Sequence, residues 1–137
     1  MKTLFVSSRV TDLDRSLRFC TVLGYAELGR VEGGDGARLV ILKFPDKPAA
    51  LLELVHRPGE GPVDVGNGFD QLAIQVEGLA TALGTLAEAG LTPDPLQYPG
   101  GPHGPKTSWL TDPDGYRIEL VEWPTGHPDG ITAADFA

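Results

Sequence analysis

Polar and apolar positions alternate through residues 3–10, which predicts a strand with Thr3, Phe5, Ser7 and Arg9 on one face and Leu4, Val6, Ser8 and Val10 on the other. A helical stripe then runs through Leu13, Leu17, Phe19 and Cys20, with Thr11 as the expected N-cap, Asp14 three residues further on, and Gly24 as the stop. Strands are predicted at 25–31, 37–44 and 50–55, separated by turn chemistry at 33–36 and 45–48. Residues 57–68 are rich in Gly, Pro and Asp and read as a linker. The pattern then restarts: a strand at 69–76, a helix at 79–89 stopped by Gly90, and strands near 93–98, 106–111 and 116–123. The tail, 124–137, has no strand pattern; residues 132–136 suit one helical turn, and the tail either packs on a partner subunit with Phe136 as anchor or is frayed.

The restart is a repeat. At a spacing of 66, Val10 falls on Val76, Leu13 on Leu79, Leu17 on Leu83 and Gly24 on Gly90; later Asp46 falls on Asp112, Glu53 on Glu119, Leu54 on Leu120 and Val55 on Val121. The middle matches poorly, as in a diverged duplication. This gives one domain of two modules, 3–56 and 69–123, joined by the linker 57–68 and followed by the tail 124–137. Glu53 and Glu119 are each a lone acid in an otherwise apolar strand. Such an acid is costly to bury unless something pairs with it. Related by a pseudo-two-fold axis, the two would converge on that axis and require a cation, a shared proton or water between them.

Charge and composition narrow the function. Nineteen acidic against 11 basic residues give a net charge of −8, and no basic stripe is present, which argues against nucleic-acid binding. No apolar run is long enough to span a bilayer and no signal-peptide pattern opens the chain, so a cytoplasmic protein with no membrane partner is expected. Cys20 is the sole cysteine, which excludes an intrachain disulfide and a thiolate metal cluster; it reads as a small packed residue.

Three stretches carry a family resemblance: Arg9-Val10-Thr11-Asp12-Leu13-Asp14-Arg15-Ser16-Leu17-Arg18-Phe19, then Leu23-Gly24-Tyr25, then Asp112-Pro113-Asp114-Gly115-Tyr116-Arg117-Ile118-Glu119-Leu120. With the repeat they cover about residues 3–123, and the chain resembles the vicinal oxygen chelate superfamily, the glyoxalase I, bleomycin-resistance and ring-cleaving dioxygenase group. The resemblance implies an α+β fold of two β-α-β-β-β modules whose strands curl into a cup, usually completed or shared across a homodimer. In glyoxalase I-like members four positions hold a divalent metal, and here they fall on Phe5, Glu53, Gln71 and Glu119. Phe5 cannot ligate, Gln71 offers only an amide oxygen, and Glu53, Gln71 and Glu119 would suit Mg²⁺, Mn²⁺ or Ca²⁺ better than Zn²⁺ or Ni²⁺. Arg9 matches a position that approaches glutathione, whereas Arg57 stands where an Asn is expected. The two-His, one-Glu sets of fosfomycin-modifying members and extradiol dioxygenases cannot be assembled. His56, His103 and His127 read as surface or loop residues, with His103 the exception because the loop 99–105 borders the cup in the family.

Two readings of the chamber follow. In the first, the protein is no enzyme: it binds a small aromatic or polycyclic ligand without a metal or other cofactor, as drug-sequestering resistance proteins of the superfamily do. Phe5, Trp109 and Trp123 would supply stacking surface, and Ser7, Arg9, Glu53, Gln71, His103 and Glu119 polar contacts. In the second, Glu53 and Glu119 serve catalysis in a divalent-metal lyase or isomerase of the glyoxalase kind, one glutamate taking a proton next to a carbonyl. The missing imidazoles tilt the sequence toward the first.

Overall fold

The computed structural model describes all of residues 1–137. The chain divides into two compact units, one made of Met1–Gly68 with Asp112–Gly115 and the other of Phe69–Thr111 with Tyr116–Ala137.

The first unit is a four-stranded sheet with one helix. Its elements are β1 (Val6–Arg9), α1 (Leu13–Val22), β2 (Ala26–Glu32), β3 (Arg38–Lys43) and β4 (Leu52–His56). The strand order is β1-β4-β3-β2, with β1 parallel to β4 and the remaining pairs antiparallel. The register puts Leu52 and Leu54 of β4 on one sheet face with Val40 and Leu42 of β3, all at most 6% exposed. Leu13, Phe19 and Cys20 of α1 are buried as well, and α1 lies against β4. Burial pushes the Cys20 thiol up to about 12, with Asp112 adding to the shift. A thiol that stays protonated is a packed residue, not a nucleophile.

Several expected boundaries move. The first strand begins at Val6, not at residue 3, which leaves Phe5 outside the ladder; the first backbone bond to it is Val6 N–H to the Leu51 carbonyl. The helix cap is Asp12, not Thr11: the Asp12 carboxylate accepts from the Arg15 N–H, while the Thr11 hydroxyl accepts from Val63 N–H at 2.9 Å. A carboxylate is the stronger acceptor for a helix N-terminus, and the hydroxyl is drawn to a loop 52 residues away. β2 carries a bulge between Glu27 and Gly29 that no pattern signalled.

The second unit repeats the plan with fewer strands: β5 (Leu72–Gln75), α2 (Leu79–Glu88), β6 (Lys106–Thr111) and β7 (Arg117–Glu122), in the order β5-β7-β6. β5 is parallel to β7 and β6 antiparallel to it, as β1 and β3 are to β4. The strand expected near 93–98 is reduced to one bridge, Gln97 to Thr107. Pro93, Pro95 and Pro99 cannot donate to a ladder, so only Asp94 and Gln97 bond across to Trp109 and Thr107. β5 starts at Leu72 instead of residue 69, so Gln71 precedes it as Phe5 precedes β1. Ile74, Ile118, Leu120, Leu110 and Ser108 share one buried face, and Leu79 and Leu86 of α2, which lies against β6 and β7, are buried with them. Gly78 gives α2 no side-chain cap; the Glu122 carboxylate takes the Leu79 N–H at 2.7 Å and Lys106 Nζ at 2.9 Å instead. The Leu79 N–H, and after it Lys106, hold the Glu122 carboxyl below its ordinary range. The one helical turn expected in the tail is present as a 3₁₀ turn, Ala133–Phe136. No helix is long and apolar enough to cross a membrane.

Both helices end on the predicted glycines, Gly24 at φ +102° and Gly90 at φ +87°. A Cβ at either position would meet nothing within 4 Å, so backbone strain alone would set the cost of Ala there. Gly24→Ala and Gly90→Ala should each lose about 1–2 kcal/mol in urea unfolding. A neutral result at both would show that the chain relaxes out of the left-handed region.

Candidate functional site

Each unit holds one of the two lone acids. In the first, Glu53 sits in β4 opposite Ser7 on one side and Ile41 on the other. Register places it on the sheet face opposite to Leu52 and Leu54, together with Ser7, Arg9, Leu39 and Val55. Glu53 is only 9% exposed, yet its Oε1 accepts from the Ser7 hydroxyl at 2.8 Å. Its other oxygen has no hydrogen-bond partner and still touches solvent. A buried carboxylate oriented by one hydroxyl, with one oxygen open, can accept a proton or a cation.

In the second unit, Glu119 lies in β7 opposite Ala73 of β5 and Trp109 of β6. Alternation groups Gln71, Gln75, Trp109, Arg117, Val121 and Trp123 with it on the face away from Ile118 and Leu120. The Gln71 amide donates to Glu119 Oε2 at 2.5 Å. Arg117 lies over the Trp109 ring, 5.1 Å from its centroid. Trp123 falls one residue beyond β7, where its indole N–H donates to Gln75 Oε1 at 3.0 Å.

The remaining expected residues separate. Phe5 is 37% exposed, just before β1. Arg9 is engaged within its own unit, donating to the Gly61 and Pro62 carbonyls at 3.1 and 3.2 Å and pairing with Glu60 at 3.5 Å. Arg57 pairs with Asp35 at 3.2 Å. His103 is exposed in the loop 99–105. His56 lies on the opposite parity to Glu53, as expected, and its Nδ1 is buried without a partner.

The donor set implied for a metal is therefore two carboxylates, one amide and an aromatic ring. Neither unit gathers three His, Cys, Asp or Glu side chains into one cluster. Taken unit by unit, the first offers Glu53 and the second Glu119 with the Gln71 amide, oxygen donors without imidazole, a chemistry that suits Mg²⁺ or Mn²⁺ better than Zn²⁺.

The sequence pointed to Trp123 but not to what surrounds it. Its ring stacks on His127, centroids 4.4 Å apart and planes 14° apart. His127 Nε2 meets Asp135 Oδ1 at 2.5 Å and its Nδ1 meets the Pro128 carbonyl at 2.6 Å. Gln75 ties the same tail down, donating to Asp129 Oδ1 at 2.9 Å and accepting from Gly130 N–H at 2.8 Å. His127 thus belongs to a built network and not to an open surface loop. The only local signal was the Thr132 and Asp135 pair, whose capping box forms as such spacing suggests.

A family model described as the glyoxalase/bleomycin resistance protein/dioxygenase superfamily matches residues 4–120. A probable lactoylglutathione lyase of Synechocystis is 32% identical over 130 residues, covering 89% of this chain and 95% of that protein. The lactoylglutathione lyase of Salmonella typhimurium is 32% identical over 127 residues, covering 89% and 93%. Among solved structures, glyoxalase I from Zea mays superposes with a TM-score of 0.79 at 25% identity, covering 88% of this chain; this chain spans 44% of the maize one.

Proposed function

The chain belongs to the glyoxalase, bleomycin resistance protein and dioxygenase superfamily, and from that premise we propose that it is a glyoxalase I-like lyase acting on a thiol adduct of a small 2-oxoaldehyde, of the glutathione kind. The observation that carries the reading is the pair of repeat-related carboxylates, Glu53 and Glu119, each on the sheet face opposite to its strand's buried leucines and each with one oxygen left unpartnered. The names of relatives that match along nearly their whole length support it over the metal-free, drug-sequestering reading.

In such an adduct the carbon bearing sulfur and hydroxyl lies beside a carbonyl, so its proton is acidic. A glutamate removes that proton and returns it to the neighbouring carbon, while the hydroxyl proton passes to the former carbonyl oxygen, which turns the adduct into a 2-hydroxy thioester with no atom gained or lost. Carboxylates suit this exchange because the same oxygen takes and gives the proton. Ser7 and Gln71 orient the two acids by donating to one oxygen of each, which leaves the other to work. Within the second unit, Glu119 and the Gln71 amide oxygen would offer oxygen donors to a hard divalent cation, which when bound would polarise the substrate oxygens. Phe5, in place of a ligand, would present an apolar wall to the acyl or thiol portion. The resemblance further implies a homodimer, which belongs to the same proposal.

The test is turnover of hemithioacetals formed from glutathione and methylglyoxal, with the purified protein stripped of metal and then supplied with Mg²⁺, Mn²⁺, Ni²⁺ or Zn²⁺. Thioester formation, strongest with Mg²⁺ or Mn²⁺, is expected. No turnover with any of the four, together with a raised melting temperature in the presence of a polycyclic antibiotic, would overturn the lyase in favour of the binder.

A further inference from the structure

Both atoms that His127 faces through its ring nitrogens are acceptors. The Pro128 carbonyl has no proton to give, and the Asp135 carboxylate is ionised: the Thr132 N–H, 2.6 Å from its Oδ2, and then His127 hold its carboxyl below the ordinary carboxylate value. A neutral imidazole donates through one nitrogen only, so this ring satisfies both partners only as an imidazolium. The flat stack on Trp123 favours the same form, because the indole face attracts a cation.

We infer that residues 124–137 are a proton-locked strap: charged His127 clamps the tail against the end of the sheet face that carries Glu119, and loss of its proton releases the tail. The attachment points all lie on that face. Gln75 takes Asp129 and Gly130, and Trp123 takes His127. The charged groups around the ring are few. The tail supplies Asp129 and Asp135; on the Trp123 face of β7 lie Glu119 and Arg117, while Glu122 is on the other face, engaged with Lys106 and the Leu79 N–H; β5 has no titratable side chain. The surroundings are therefore acidic, and they favour the proton.

The sign follows from both partners. The Asp135 carboxylate, and then the Pro128 carbonyl, raise His127 above its ordinary 6.5. Stabilisation from a raised group is complete below the unfolded value and fades as pH climbs through the folded one. Asp135 is lowered, so its contribution is present above the ordinary 3.8 and is lost as pH falls through the lowered value. The strap is closed between these limits and opens on the alkaline side through His127. That opening matters for turnover only if the Glu119 face is the reacting one, a dependence on the function proposed above; the strap itself does not depend on it.

The experiment follows His127 by NMR across pH 5–9 in the whole protein, with hydrogen exchange at the Gly130 and Thr132 amides corrected for intrinsic rates. A His127 midpoint above 6.5 is expected, with protection at both amides falling at least tenfold through it. Asp135→Asn should lower the midpoint, and His127→Phe, which keeps a ring but no charge, should leave both amides unprotected at every pH. Protected Ile118 and Leu120 amides confirm that each variant is folded. A midpoint at or below 6.5, or tail protection that is flat across the titration, overturns the strap. Absent turnover in all forms would count against the proposed reaction alone, since the amide readings need no substrate.

Discussion

Glu119→Gln will lower turnover by about 10²–10⁴-fold and leave the fold in place. The substitution is nearly isosteric, and a glutamine oxygen can still accept from the Gln71 amide that now donates to Oε2 at 2.5 Å. The strand keeps its ladder to Ala73 and Trp109. What disappears is the charge and the ability to take a proton. Glu53→Gln is the matched case, with Ser7 as the retained donor. If each acid serves the reaction, each single variant falls into the same range. Wild-type-like turnover in Glu119→Gln would make it a structural acid and move the chemistry elsewhere. A rise in KM alone would make it a binding group.

The second large effect is on stability. Asp114→Ala is expected to cost about 2–4 kcal/mol in urea unfolding, seen as a lower midpoint at unchanged slope. The Asp114 side chain is 2% exposed and meets three donors around the start of α1. The Thr11 N–H lies 3.3 Å from both oxygens, the Ser16 hydroxyl 3.4 Å from Oδ2, and Arg15 3.4 Å from Oδ1. Ser16 is itself 2% exposed, so its hydroxyl would lose its acceptor with no water to replace it. Asp114→Asn, which keeps an acceptor and loses the charge, should recover about half of the loss. Equal losses in the two variants would show that the charge, and not the hydrogen-bond geometry, is what the site uses.

Particular residues show why some of this was legible in the sequence. Periodicity located both helices, and the glycines that end them, because an amphipathic stripe and a left-handed stop are local properties. The 66-residue repeat singled out Glu53 and Glu119 because equivalent strands place equivalent side chains on one face. The short strands were overestimated at their starts, since propensity extends through Phe5 and Gln71 while hydrogen-bond partners do not. The missing strand near 93–98 could have been read from its prolines. Asp114 and His127 could not. Asp114 looked like turn chemistry, and its buried role depends on Thr11 and Ser16, about a hundred residues away. His127 depends on Gln75 and Trp123 for its setting, and no spacing rule connects a loop to a strand 48–55 residues distant.

The placement of the Asp112–Gly115 turn in the first unit also constrains how the protein is made. A ribosome releases the chain from residue 1 onward, and the first 68 residues emerge with the Thr11 N–H and the Ser16 hydroxyl still lacking their carboxylate. The first unit cannot be completed until residue 115 has left the exit tunnel, and since only 22 residues follow it, the second unit has by then been synthesised in full. A nascent chain stalled near residue 70 should therefore resist protease poorly, and the full 137 residues carried clear of the tunnel on a C-terminal linker should resist it well.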